Sequence, residues 1–165
     1  MKATFFKRVL LAGVVLAGSV ALRGADAEPQ KGDKTEQIKW QANIYAAHDV
    51  AVETGKPILI LVTGDACAPC KKLKTTTLAD PRVVKYVNTL FVPVQLDFAK
   101  DSKVVEILEV EQIPSTIVLS PDADLLGRLV GYAGAEDYHE ALERTRRFHK
   151  KIATLRQASA NQERE

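Results

Sequence analysis

Cysteine, histidine and methionine are scarce in this chain: two, three and one in 165 residues. With no second cysteine pair, a structural zinc site lacks two of its four ligands. The histidines, His48, His139 and His149, are scattered, and none accompanies another at metal-ligand spacing. Their plain reading is exposed or half-buried helix residues. No Ser, His and Asp arrangement and no glycine-rich phosphate loop can be picked out. Internal repeats and low-complexity tracts are absent as well. The longest apolar run, Val9 to Leu22, is broken by Gly13, Gly18 and Ser19 and stops at Arg23, short of the ~20 residues of a comfortable membrane span.

What is present at the N-terminus is ordered as in a secretory signal. Lys2, Lys7 and Arg8 precede the apolar run, and Ala25-Asp26-Ala27 offers small residues to a peptidase. Residues 1–27 therefore read as a signal peptide cleaved after Ala27, with an uncleaved anchor as the alternative. No cysteine stands near that point, so lipoprotein attachment is excluded, and no stable membrane insertion is expected after cleavage. Cleavage removes four basic side chains and one acidic one, taking the formal charge from +2 to −1. So balanced a charge argues against nucleic acid or anionic lipid as the main partner. The expected location is the periplasm or another extracytoplasmic compartment.

Residues 28–36 are polar and read as a flexible leader. The remainder, 46% of the whole chain being hydrophobic, is enough for one domain with a single core. Apolar positions at steps of three and four from Ile38 to Glu53, ended by Gly55 and Pro57, predict a helix. Ile58 to Val62 is apolar without alternation, as in a strand covered on both faces. Lys71 to Leu78 reads as helix, and Asp80-Pro81 starts a short one through Tyr86. Leu90 to Leu96 reads as a second strand, followed by a brief helix over residues 102–108. A third strand over residues 116–119 and a turn at 121–124 lead to a fourth over 125–130. The last helix starts near Ala135, burying Tyr138, Leu142 and Phe148 and turning Arg144, Arg146, Arg147, Lys150 and Lys151 to water. Residues 151–165 are its end and a frayed tail. A central mixed sheet of four or five strands, with helices on both faces, is the expected α/β architecture.

The two cysteines stand in Cys67-Ala68-Pro69-Cys70, where a buried strand meets a helix. A disulfide three residues long closes almost no loop, so its structural gain is small. At a helix start, unpaired N–H groups and the dipole favour negative charge, which eases formation of the Cys67 thiolate. Cys70, nearly a turn later, faces the same side and can resolve a mixed disulfide. Pro69 is tolerated in a first turn and stiffens the ring. Three other readings of the pair stay open: an inert short disulfide, two buried thiols, or soft ligands for Cu(I) or Zn.

With strand, Cys67-Ala68-Pro69-Cys70, helix, and then Ile113-Pro114 before the next strand, the chain resembles the thioredoxin superfamily over roughly residues 38–148; the assigned thioredoxin-like domain is 37–150. Lys56-Pro57-Ile58 through Cys70-Lys71-Lys72, with Leu78-Ala79-Asp80-Pro81-Arg82-Val83, is similar to the periplasmic C-terminal domain of the membrane thiol:disulfide interchange reductase and its stand-alone relatives. The resemblance implies a thiol:disulfide oxidoreductase with Cys67 as nucleophile and Cys70 as resolving thiol, using no cofactor or metal. Clients would be exported protein thiols or disulfides, contacted by Ala68, Pro69, Ile113 and a cis Pro114, and the electron donor would sit in the membrane. A client-binding module with locked cysteines is the non-enzymatic alternative. The sequence departs from thioredoxins in three places: Ala66 replaces a rim tryptophan, Leu61 replaces a buried acid, and Ser115 replaces a threonine. Asp65 is the nearest substitute carboxylate.

Overall fold

A computed structural model describes residues 36–162; the expected signal peptide over 1–27 and nearly all of the expected leader over 28–36 lie outside the described residues. The centre is β1 (Ile58–Thr63), every residue of which is buried. β2 (Val92–Asp97) runs parallel to it on one side, and β3 (Ser115–Leu119) runs antiparallel on the other. β4 (Leu125–Val130) pairs antiparallel with β3, giving a four-stranded mixed sheet of order β2-β1-β3-β4.

Helices cover both faces, so the strand side chains divide between two cores. Leu59, Leu61 and Val118 point to one face and pack with Leu73 of α2 (Ala68–Thr75), with Val83, Val84 and Val87 of α3 (Pro81–Leu90), and with Tyr138 and Leu142 of α5 (Ala135–Gln162). Ile58, Ile60, Val62, Val94 and Ile117 point to the other, against Ala47 and Ala51 of α1 (Ile44–Thr54) and Val105 of α4 (Ser102–Ile107). Each fully buried aliphatic side chain contributes ~1.5–3 kcal/mol over an exposed one, which is why β1 carries no polar residue before Thr63.

Local signals set most boundaries. Asp80 caps α3, its Oδ1 accepting from the N–H of Arg82 at 2.8 Å, and Pro81 opens the helix. Gly55 closes α1 in the left-handed region at φ 67°. At Gly127 the approach of α5 to β4 is so close that a β-carbon would come 2.2 Å from Cγ2 of Thr145.

Four expectations are corrected. The first helix starts at Ile44 rather than Ile38, because Asn43 caps it and accepts from the N–H of Ala46 at 2.9 Å. Before it, Gln41 bridges to Val94 beside β2, while Ile38 and Trp40 join the α3–α5 core. The second helix begins at Ala68, as a helix start at Cys67 with Pro69 in the first turn predicts, but it stops at Thr75 short of Leu78, which lies in a separate 3-10 turn, Thr77–Ala79. α3 continues to Leu90, delaying β2 to Val92. In α5, Phe148 is 48% exposed instead of buried, and the helix holds to Gln162. Near its end Arg156 forks onto Asp122 and Asp124 in the β3–β4 turn.

Candidate active site

β1 ends at Thr63, and Gly64, Asp65 and Ala66 carry the chain to Cys67, the N-cap of α2. Ala68 and Pro69 form the start of the helix, where proline forfeits no hydrogen bond. Cys67 and Cys70 are joined in a disulfide, their Cα atoms 5.2 Å apart. The two residues are unequal. Cys70 is 2% exposed, whereas Cys67 is half-buried between the exposed Ala66 and Ala68. The backbone N–H of Cys70 points at Sγ of Cys67 from 3.2 Å. In the reduced protein this donor and the rest of the open first turn favour negative charge on that sulfur.

Ile113 and Pro114 form the opposite wall. The peptide bond between them is cis, and the Ile113 carbonyl lies 3.7 Å from Sγ of Cys67. The Ile113 side chain occupies the space over Gly64, where a β-carbon would come 2.9 Å from its Cδ1. Cys67, Ala68, Pro69, Cys70, Ile113 and Pro114 are thus gathered at one end of the sheet.

Sequence reasoning does not single out the residues that frame this group. The N–H of Gly131 donates to the Pro114 carbonyl at 2.8 Å, bringing the loop after β4 alongside. Tyr132 in that loop reaches Thr76 of the α2 C-cap at 3.4 Å, and Nζ of Lys72 lies 4.2 Å from its ring centroid. The Thr76 hydroxyl, and to a lesser degree the Lys72 charge, hold the Tyr132 phenol below its ordinary value. Only the placement of an aromatic residue at the end of β4 hints at this contact in the sequence. Asp65 is 93% exposed at its side chain and lies 3.9 Å from Nζ of Lys100, pointing to solvent. Leu61 sits in the apolar core opposite Thr116. Among the described residues, no three His, Cys, Asp or Glu side chains gather as a metal site, and no helix is long and apolar enough to cross a membrane.

Residues 44–146 match the family model of the thioredoxin-like domain. The chain belongs to the thioredoxin-like family. A curated relative, the thiol:disulfide interchange protein DsbD of Ralstonia nicotianae, is 28% identical over 139 residues, 81% of this chain and 22% of that protein. This thioredoxin-like chain therefore spans about a fifth of that relative's length. Among solved structures, a DsbH oxidoreductase aligns with TM-score 0.63 at 17% identity, covering 72% of this chain and 92% of its own. The oxidised DsbD C-terminal domain of Neisseria meningitidis aligns with TM-score 0.56 at 22% identity, covering 61% of this chain and 90% of its own. Those two likenesses establish the fold. Within that fold, a dithiol pair at a helix N-terminus is equipped for thiol–disulfide exchange.

Proposed function

We propose that this protein is an extracytoplasmic thiol:disulfide oxidoreductase that passes electrons from Cys67 and Cys70 to disulfides of exported proteins. The inequality of the two residues carries the reading: Cys67 is open to a partner at the helix cap, and Cys70 is buried beneath it. The Cys67 thiolate attacks one sulfur of a client disulfide, whose S–S bond breaks as the second client sulfur leaves as a thiolate and takes up a proton. Cys70 then loses its proton and attacks Sγ of Cys67. The mixed disulfide breaks, the intramolecular disulfide forms, and two electrons have moved to the client, which departs with both thiols. The client segment runs along Ala68, Pro69, Ile113 and Pro114.

Return to the dithiol requires a two-electron donor, for which a membrane dithiol protein is the proposed source. The order of charges, apolar residues and small residues across 1–27 supports export. N-terminal sequencing of the exported protein is expected to begin at Glu28.

The deciding experiment is titration of the pair against glutathione and dithiothreitol. A potential near about −270 mV fits a reductase supplied by a donor, and one near about −120 mV reverses the direction to oxidation. A disulfide that persists below about −300 mV is structural, and client binding by a Cys67→Ser, Cys70→Ser protein then identifies a binding module instead.

A further inference from the structure

The segment from Leu108 to Pro114 presents the Ile113 carbonyl to Cys67, and its base is built unusually. α4 closes with two bonds, from the N–H of Val110 to the carbonyl of Val105 at 3.1 Å and from the N–H of Glu109 to that of Glu106 at 2.9 Å. This is a Schellman closure, whose left-handed residue is commonly glycine. Here it is Glu109, at φ 51°, a conformation that a side chain disfavours. Arg128 of β4 reaches across and donates from Nη2 to the Leu108 carbonyl at 2.6 Å and from Nη1 to the Glu109 carbonyl at 3.1 Å. A charged fork satisfying two helix-end carbonyls is a strong and geometrically fixed contact. Further along, the Ser115 hydroxyl donates to the Gln112 carbonyl at 2.6 Å, leaving little freedom between the clamp and Ile113.

We infer that Arg128 is a positioning residue for client exchange, holding the Leu108–Glu109 corner so that Ile113 meets both Cys67 and an incoming extended segment. Arg128 acts through the backbone of that corner and does not touch the reacting sulfurs. It also lines the open groove beside Glu111, Gln112 and Val130 that borders the segment. The inference rests on the reading that clients dock along Ile113 and predicts an effect confined to large substrates. A small dithiol needs only Sγ of Cys67, whereas a protein client needs the wall as well.

The test uses the full chain with Arg128→Ala, Arg128→Lys and Glu109→Gly, each checked for folding by thermal melt. Exchange is followed with an unfolded protein disulfide as client and, separately, with dithiothreitol. Arg128→Ala is expected to lose on the order of 10- to 100-fold in kcat/KM for the protein client, chiefly through KM, while its dithiothreitol rate stays that of the native chain. Arg128→Lys, with a point charge in place of the fork, falls between the two. Glu109→Gly, which relaxes the corner and keeps Arg128, retains the native client rate. A folded Arg128→Ala protein with native client kinetics overturns the inference, as does an equal loss for both substrates, which would make the effect a general one on the site. Failure of the native chain to exchange with any client overturns the oxidoreductase reading instead.

Discussion

The hydroxyls of Thr116 and Tyr138 meet at 3.0 Å inside the core, on the sheet face that Leu61 also lines. Tyr138→Phe leaves the Thr116 hydroxyl buried without its partner, and the expected loss is ~1–3 kcal/mol in urea denaturation. Adding Thr116→Val removes the orphan and should recover most of that loss. A double variant no more stable than Tyr138→Phe alone would mean that the hydroxyl pair is not the source of the effect.

The same tyrosine sets an alkaline limit. Burial, outweighing the Thr116 hydrogen bond, pushes its phenol up to about 12 from an ordinary 10. A pKa raised by folding gives stability that is whole below pH 10, declines as the unfolded phenol ionises, and is exhausted once pH passes the folded value. Denaturant midpoints of the native chain should therefore fall across that window. Those of Tyr138→Phe should fall less steeply.

Cys70→Ser should accumulate a mixed disulfide with clients, because Cys67 can still attack while nothing is left to release the product. Mass spectrometry of the trapped species should place the client on residue 67. Cys67→Ser should trap nothing, since Cys70 is only 2% exposed. Equal trapping by both variants would contradict the assigned roles.

Gly127 lies directly beneath Thr145 of α5. Gly127→Ala should cost ~1–3 kcal/mol by forcing the helix off the strand, with Thr145→Ser in the same chain restoring part of it by removing the obstructing methyl. Thermal melts of the single and paired variants decide the matter.

Asp80 holds the start of α3, and its bonds to Arg82, side chain first and backbone second, keep its carboxyl below the ordinary value. Asp80→Ala should lower stability by ~1 kcal/mol. The Asp80 contribution is complete above pH 3.8 and is lost as acid protonates the folded carboxyl. Asp80→Asn should keep the cap while flattening that part of the acid profile.

Much of this architecture is legible residue by residue. Asp80-Pro81 announces α3, the turn at 121–124 announces β4, and the cysteine spacing after a buried strand announces the site. Trp40 stands four residues before Ile44 and so extends the spacing of Ile44 and Ala47 backwards, although Ile38 and Trp40 alternate as in extended chain. Asn43, a polar cap inside that pattern, is the residue that divides the extended segment from the helix. Phe148 differs for another reason: periodicity tells which side of a helix is apolar, not how far along it the sheet extends. The Arg128 contact was invisible because its partners are backbone carbonyls about 20 positions earlier, and any sequence supplies carbonyls.

Arg156 fastens the outer part of α5 to the β3–β4 turn through Asp122 and Asp124. That turn follows Leu119, the end of β3 away from Pro114, so the fastening and the cysteines occupy opposite poles of the sheet. A surface or a fused partner attached just beyond α5 would hold the domain by its back, with Cys67 facing outward. Immobilised in this way, the protein should display its reactive sulfur to passing clients as a directed surface rather than at random.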